Sequence, residues 1–168
     1  MTSMDVINFY VDLNNLGIKI WIDGGWGVEA LLSEQTRPHK DLDIVIQQKD
    51  LPKVLESLQK RGYQNVERDD TRSWNFVLSD DRGNEIDFHV IVFDNDGNGI
   101  YGPGENGEMY PLGSLLGIGN INGHSVRCIS PEYVVKFHTG YKPSKNDSRD
   151  VTALCKQFGI DIPEAYRR

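Results

Sequence analysis

The chain predicts an α/β fold of the α+β kind: a mixed β-sheet backed by helices, with a small C-terminal helical part. Three observations carry that prediction. Helical and extended hydrophobic periods alternate through the first half of the 168 residues. Asp41–Ile46 and Glu85–Phe93 have the apolar, β-branched content of interior strands. Beyond Asp94 the chain becomes rich in Gly, Asn and Pro, then returns to helical periodicity near its end.

The elements follow in order. Met4 to Leu16 places Val6, Phe9, Tyr10 and Leu13 at helical spacing, and Gly17 would end that helix. Ile18 to Ile22 is a short apolar strand. Gly24-Gly25 turns the chain into a helix from Trp26 to Ser33, and Thr36 to Lys40 is a polar loop. Asp41 to Ile46 is the central strand. Leu51 to Arg61 carries Leu51, Val54, Leu55 and Leu58 on one helical face, with Gly62 just past its end. Trp74 to Leu78 and Glu85 to Phe93 form a hairpin through Asp80–Asn84. In its second strand, Ile86, Phe88, Val90 and Val92 share one face, and Glu85, Asp87 and His89 the other. Asp94 to Gly123 is expected to be long loops with short strands. Ser125 to Ile129 is the last strand. Pro131–Thr139 and Asp147–Phe158 are helices, with Ser130 and Asn146 as N-caps.

Length and composition narrow the classes. A chain of 168 residues is one domain's worth and buries about 70% of its unfolded surface. A net charge of -7 leaves no basic face for nucleic acid. No apolar run reaches the ~20 residues of a membrane helix, and no secretory start is visible, so a cytoplasmic protein is expected. Cys128 and Cys155 lack metal-type spacing and suit reduced thiols, with a single disulfide as the alternative.

The chemistry concentrates in Gly24-Gly25-Trp26 followed by Asp41-Leu42-Asp43. Glycines at a helix start let backbone N–H groups approach a phosphate, where the helix dipole favours negative charge. Along an extended strand Asp41 and Asp43 point to one face while Leu42 points away. Carboxylates at the edge of a buried strand need pairing or a cation, and paired hard oxygens suit Mg²⁺ bound with substrate phosphates. Asp87 joins the cluster if its strand neighbours the first, which is the logic of a two-metal site. The plainer alternatives are a solvated turn for Asp41/Asp43, a solvent-facing Asp87 with Glu85 as ligand, and a structural His89. Arg37 and His39 precede the carboxylates, where an arginine can clamp phosphate oxygens. Lys142, Lys145 and Arg149 lie near the last helix, either neutralising a triphosphate or facing solvent. Asp147 and Asp150 are most simply first-turn residues favoured by the helix dipole.

These residues resemble the nucleotidyltransferase superfamily, and within it the small antibiotic nucleotidyltransferases: the lincosamide enzymes and the aminoglycoside 2''-adenylyltransferases. Trp21-Ile22-Asp23-Gly24-Gly25-Trp26-Gly27-Val28 is similar to their Trp-x-x-Gly-Gly-Trp motif. Arg37-Pro38-His39-Lys40-Asp41-Leu42-Asp43 is similar to their Arg-x-His-x-Asp-hydrophobic-Asp motif. Ile86-Asp87-Phe88-His89 resembles a strand of the lincosamide branch. Cys128-Ile129-Ser130, Phe137–Tyr141, Asp147 and Asp150 resemble that branch's C-terminal segment.

The resemblance implies a nucleotidyltransferase core over residues 1–94 and acceptor-side loops with C-terminal helices over 95–168, packed together. It implies that Asp41, Asp43 and Asp87 hold Mg²⁺, two ions in all, and that Asp87 is also the general base. Gly24 and Gly25 would cradle the triphosphate, with Arg37, His39 and Lys145 assisting. The implied reaction moves a nucleoside monophosphate, from ATP as the expected donor, to a hydroxyl of a small antibiotic, a lincosamide before an aminoglycoside. A monomer or homodimer is expected, with no nucleic-acid partner. The rival functions are a toxin that modifies a protein partner and a non-catalytic nucleotide-binding module. Trp26 stands where the wider superfamily has serine, and the glycine-rich segment 95–119 departs from the pattern.

Overall fold

The computed structural model describes residues 1–104 and 107–167; Glu105 and Asn106, within the expected loop region, lie outside the described residues, as does Arg168. Helix α1 (Ser3–Asn15) opens with a capping box in which Thr2 and Asp5 satisfy each other's backbone N–H groups. It buries Val6, Ile7, Phe9, Tyr10 and Leu13. Strand β1 (Ile20–Ile22) is buried throughout and leads into α2 (Gly24–Leu32). Strand β2 (Asp41–Gln47), helix α3 (Leu51–Lys60), β3 (Gln64–Val66), β4 (Asn75–Ser79) and β5 (Glu85–Phe93) follow. Then come β6 (Gly99–Tyr101), β7 (Glu108–Tyr110), β8 (Gly117–Ile121), β9 (His124–Cys128), α4 (Pro131–Phe137) and α5 (Lys145–Phe158).

All the strands join one mixed sheet in the order β3-β4-β5-β2-β1-β9-β8, with β6 continuing from β5 and β7 from β6. The pairing that matters most is β2 with β5. They run parallel in a register that places Asp41 beside Glu85 and Asp43 beside Asp87. Parallel strands buried on both faces are near-continuous apolar runs, which Ile44-Val45-Ile46 satisfies with all three fully buried. Helix α2 packs on β2 and β8, and α4 and α5 pack on α2. Trp26, Ile22, Ile44, Phe88 and Leu154 are fully buried in a core shared by these elements.

Several expectations need correction. The apolar face of β5 does not run on to Val92, which is 53% exposed, whereas Ile91 is fully buried. The cause is β6: Gly99 lies so close that a Cβ there would stand 2.6 Å from Ile91 Cδ1, so Ile91 is covered on what was the polar face. The last helix begins at Lys145 rather than Asp147. Its N-cap is Ser144, which forms a capping box with Asp147, so Asn146 already lies inside the helix. Ser130 does precede α4, but its side chain makes no capping hydrogen bond. Strand β3 has no counterpart in the sequence expectation, whereas the short strands expected in the Gly-rich segment are β6, β7 and β8.

Candidate active site

The site forms where β2, β5 and the β1–α2 turn meet. Asp23 caps α2, its Oδ1 accepting from the Gly24 N–H at 2.8 Å, while its own N–H donates to the Asp43 carbonyl at 2.9 Å. Gly24 has φ +54°, a left-handed value that disfavours any side chain. A Cβ there would stand 1.9 Å from Asp43 Oδ2. The turn therefore lies directly against the carboxylate; Asp23 takes the Gly24 N–H, and the N–H groups of Gly25 and Trp26 are left without intrahelical partners at the start of α2.

Gly25 abuts the second half of the motif. A Cβ at that position would lie 2.4 Å from both Cε1 and Nδ1 of His39 and 2.9 Å from Arg37 Nη2. His39 cannot yield. Its Nε2 is 2.8 Å from Glu29 Oε1, its Nδ1 is 2.9 Å from Arg37 Nη1, and its ring packs 4.9 Å from that of Trp26. A guanidinium only donates, so Nδ1 is the acceptor and the proton on Nε2 goes to Glu29. Burial alone would raise the Glu29 carboxyl, but bonds from His39 and from the Thr36 N–H and hydroxyl bring it below its ordinary value. Gly25→Ala is thus expected to displace a pinned ring and to cost about 1–3 kcal/mol, a fall of several degrees in Tm by differential scanning fluorimetry. An unchanged Tm would mean that the loop under the glycine turn is not fixed.

Arg37 reaches out of this motif. Its Nη2 donates to Asp150 Oδ2 at 3.2 Å, and Arg149 holds Asp150 Oδ1 at 3.0 Å. Asp150 is buried and lies past the first turn of α5, so it does not serve the helix dipole as expected; it ties α5 to the loop before β2. Both terminal nitrogens of Arg37 are committed to protein partners, and the motif braces the glycine turn from below. Lys145 opens α5 and lines a cleft of about 1010 Å³ with Ser148, Arg149, Thr152 and Tyr166, none of them a member of the carboxylate cluster.

Asp43 and Asp87 are half-buried neighbours, and His89 is beside them. One ligand atom from each of the three lies within 4.8 Å of the others. Asp41 is exposed at the start of β2 and falls outside that group, though its charge is felt at Asp43. Glu85 is paired with Arg68 at 2.7 Å, which takes it out of contention as a ligand. Burial, then the charges of Asp23, Asp41 and Asp87, push the Asp43 carboxyl up to about 7, against the opposing pull of His89. Burial also raises Asp87, with Asp70 and Asp41 adding to it and His89 and Arg68 opposing it. Asp87 Oδ1 is buried with no hydrogen-bond partner among the described residues. Crowded carboxylates and an orphaned hard oxygen fit a divalent cation.

Two members of the site escaped the sequence reading. Asp23 precedes Gly-Gly and is an N-cap residue type, a signal that was available had the helix start been placed at Gly24 rather than Trp26. Tyr110 comes from β7, and its hydroxyl donates to Asp23 Oδ2 at 3.1 Å and accepts from His89 Nδ1 at 2.9 Å. Asp23 Oδ2 is 3.7 Å from His89 Nδ1, too long for a hydrogen bond, so Tyr110 carries the link. Nothing near Tyr110 in the sequence marks it.

A glycine turn pressed on one of two registered carboxylates, in a mixed sheet backed by helices, defines the chain as a nucleotidyltransferase. A profile of the family described as aminoglycoside-2''-adenylyltransferase matches residues 5–154, and the chain belongs to that family. A lincosamide resistance protein of Staphylococcus haemolyticus is 30% identical over 149 residues, 87% of this chain and 91% of that one. The structure of the lincosamide antibiotic adenylyltransferase LnuA bound to lincomycin superposes with a TM-score of 0.80 at 25% identity, covering 92% of this chain and 96% of the other. That of ANT(2'')-Ia with adenylyl-2''-tobramycin gives 0.73 at 19% identity, covering 94% and 89%, a likeness of fold. No helix among the described residues is long and apolar enough to cross a membrane.

Proposed function

We propose that the chain transfers a nucleoside monophosphate from ATP to a hydroxyl of a lincosamide, with aminoglycosides as the next acceptor class. The observation that carries this is the β2–β5 register, which sets Asp43 against Asp87 beside the Gly24 turn. The lincosamide preference is supported by the resistance protein of 30% identity and by the higher TM-score of LnuA, 0.80 against 0.73.

Asp43 and Asp87 would hold Mg²⁺, with Asp41 at the rim positioned for a second ion. The cation supplies charge neutralisation at the α-phosphate and the departing pyrophosphate. The chain's residues do the rest. The turn at Gly24-Gly25 binds the triphosphate through backbone N–H groups at the start of α2. Glu29, His39, Arg37 and Asp150 keep that turn from moving, so the phosphate need not pay for ordering it. Asp87 accepts the proton of the attacking hydroxyl, and its raised carboxyl makes it a better base than a solvated aspartate. The negative surface favours acceptors that carry an amine.

The test incubates the full chain with Mg²⁺, each of the four NTPs, and lincosamides or aminoglycosides, and reads products by mass spectrometry. A lincosamide product carrying the AMP mass is expected. An aminoglycoside product alone would reverse the acceptor order. Labelling of protein rather than small molecule would replace the acceptor class altogether.

A further inference from the structure

We propose that His89 is a nitrogen ligand of the cation at this site, its Nε2 aimed there by Tyr110 and Asp23. This deepens the nucleotidyl-transfer function and rests on it for what the cation does; the ligand set itself rests on geometry.

The hydrogen bonds decide which nitrogen is available. Tyr110 has one hydroxyl proton, and the carboxylate of Asp23 receives it at 3.1 Å. The tyrosine oxygen, its own proton given away, must then accept from His89 Nδ1, 2.9 Å away, so Nδ1 carries the hydrogen. A histidine whose Nδ1–H is engaged can give up only its Nε2 hydrogen, so an incoming cation displaces any proton there and takes the Nε2 lone pair on the ring's far side; a second group of this kind commonly fixes the ring of a metal-bound histidine. Here that far side faces Asp87, with Nε2 3.9 Å from Oδ1, the oxygen that lacks any other partner among the described residues. Tyr101 flanks the ring at 5.5 Å between centroids and Tyr110 at 6.5 Å, which limits its rotation.

The spacing suits one ion. Ligand atoms about 2.1 Å from a cation stand about 3 Å apart when adjacent and about 4.2 Å apart when opposite. The atoms of Asp43, Asp87 and His89 lie within 4.8 Å of one another, so small side-chain shifts close the set. Asp41, the carboxylate that the sequence pairs with Asp43, is outside it. The centre is therefore mixed nitrogen and oxygen. Imidazole is a poor partner for Mg²⁺, which prefers oxygen and dehydrates reluctantly, and a better one for transition ions. The chain is expected to bind Mn²⁺ at least about 10-fold more tightly than Mg²⁺.

The probe is Mn²⁺ alone, added to the full chain and read by continuous-wave and pulsed electron paramagnetic resonance. Wild type is expected to show ¹⁴N modulation from one directly bound imidazole. His89→Gln should lose it. Tyr110→Phe keeps the ring packing but frees Nδ1, so the ¹⁴N coupling should change and Mn²⁺ affinity fall about 10-fold. Bound Mn²⁺ without nitrogen coupling in wild type, coupling that persists in His89→Gln, or no Mn²⁺ binding at millimolar concentration would each overturn the assignment. Should His89→Gln fail to fold, the wild-type and Tyr110→Phe spectra still decide. Nitrogen coupling in a chain that transfers no nucleotide would leave His89 a ligand and remove the proposed reaction. Transfer without nitrogen coupling would do the reverse.

Discussion

Asp87→Asn is expected to lower nucleotidyl transfer by at least about 100-fold while nucleotide still binds and the fold persists. The reasoning starts from what Asp87 does not do for the structure. Its Oδ1 has no hydrogen-bond partner among the described residues, and the nearest basic nitrogen, His89 Nε2, is 3.9 Å away. An amide of the same shape therefore loses little in folding. It loses two things in function. It cannot take the proton of an attacking hydroxyl, and it cannot neutralise a cation shared with Asp43. The glycine turn that would hold the triphosphate touches Asp43 rather than Asp87, so binding should survive. Calorimetry with ATP and Mn²⁺, beside single-turnover rates, separates the two effects. Turnover within a few fold of wild type would remove Asp87 from the chemistry.

The residues of this prediction were legible in the sequence for a definable reason. The strand period places Asp41 with Asp43, and Asp87 with His89, on single faces, and apolar Ile44-Val45-Ile46 marks β2 as interior. What the period could not supply was which strand lies beside which, and the β2–β5 register is a tertiary fact. Asp41 shows the cost. Two carboxylates on one face looked equivalent, but β2 emerges into solvent at its first residue, leaving Asp41 exposed and Asp43 enclosed. The Gly-rich segment was harder. Gly117-Ile118-Gly119-Asn120-Ile121 has the composition of a loop, yet it is held as β8 by its antiparallel ladder with β9. A strand fixed by its neighbour carries little propensity of its own. Tyr110 lies in the same region and meets Asp23 across 87 residues, a contact no local pattern encodes. Asp150 reads as a first-turn residue only for a helix that starts at Asp147; the start at Lys145 puts Asp150 in the second turn, where it meets Arg37.

Asp43→Asn is expected to stabilise the cation-free chain above pH 7 while abolishing cation binding. Burial and the nearby charges of Asp23, Asp41 and Asp87 hold the Asp43 carboxyl at about 7, with only His89 pulling it down. The ordinary value is 3.8, so the folded chain keeps a proton that the unfolded chain releases. The sign follows. Below 3.8 both states are protonated and Asp43 is no burden; stability declines as pH rises from there and the loss is complete once pH passes about 7. At pH 8 the ionised carboxylate then costs on the order of 2–4 kcal/mol. Asparagine removes that charge without changing the side chain's shape. Its Tm at pH 8 in chelator should exceed that of wild type by at least about 5 °C, and the gain should shrink towards pH 4. Mn²⁺ or Mg²⁺ should reverse the order, raising the wild-type Tm by mass action and leaving the variant unmoved. A side chain kept for folding would not behave this way, because its removal would lower Tm at every pH. A residue that destabilises the empty protein and is relieved by a cation is one held in place for what it binds. Equal melting temperatures at pH 8 with chelator would mean that Asp43 is not charge-strained, and the cation site would lose its main electrostatic argument.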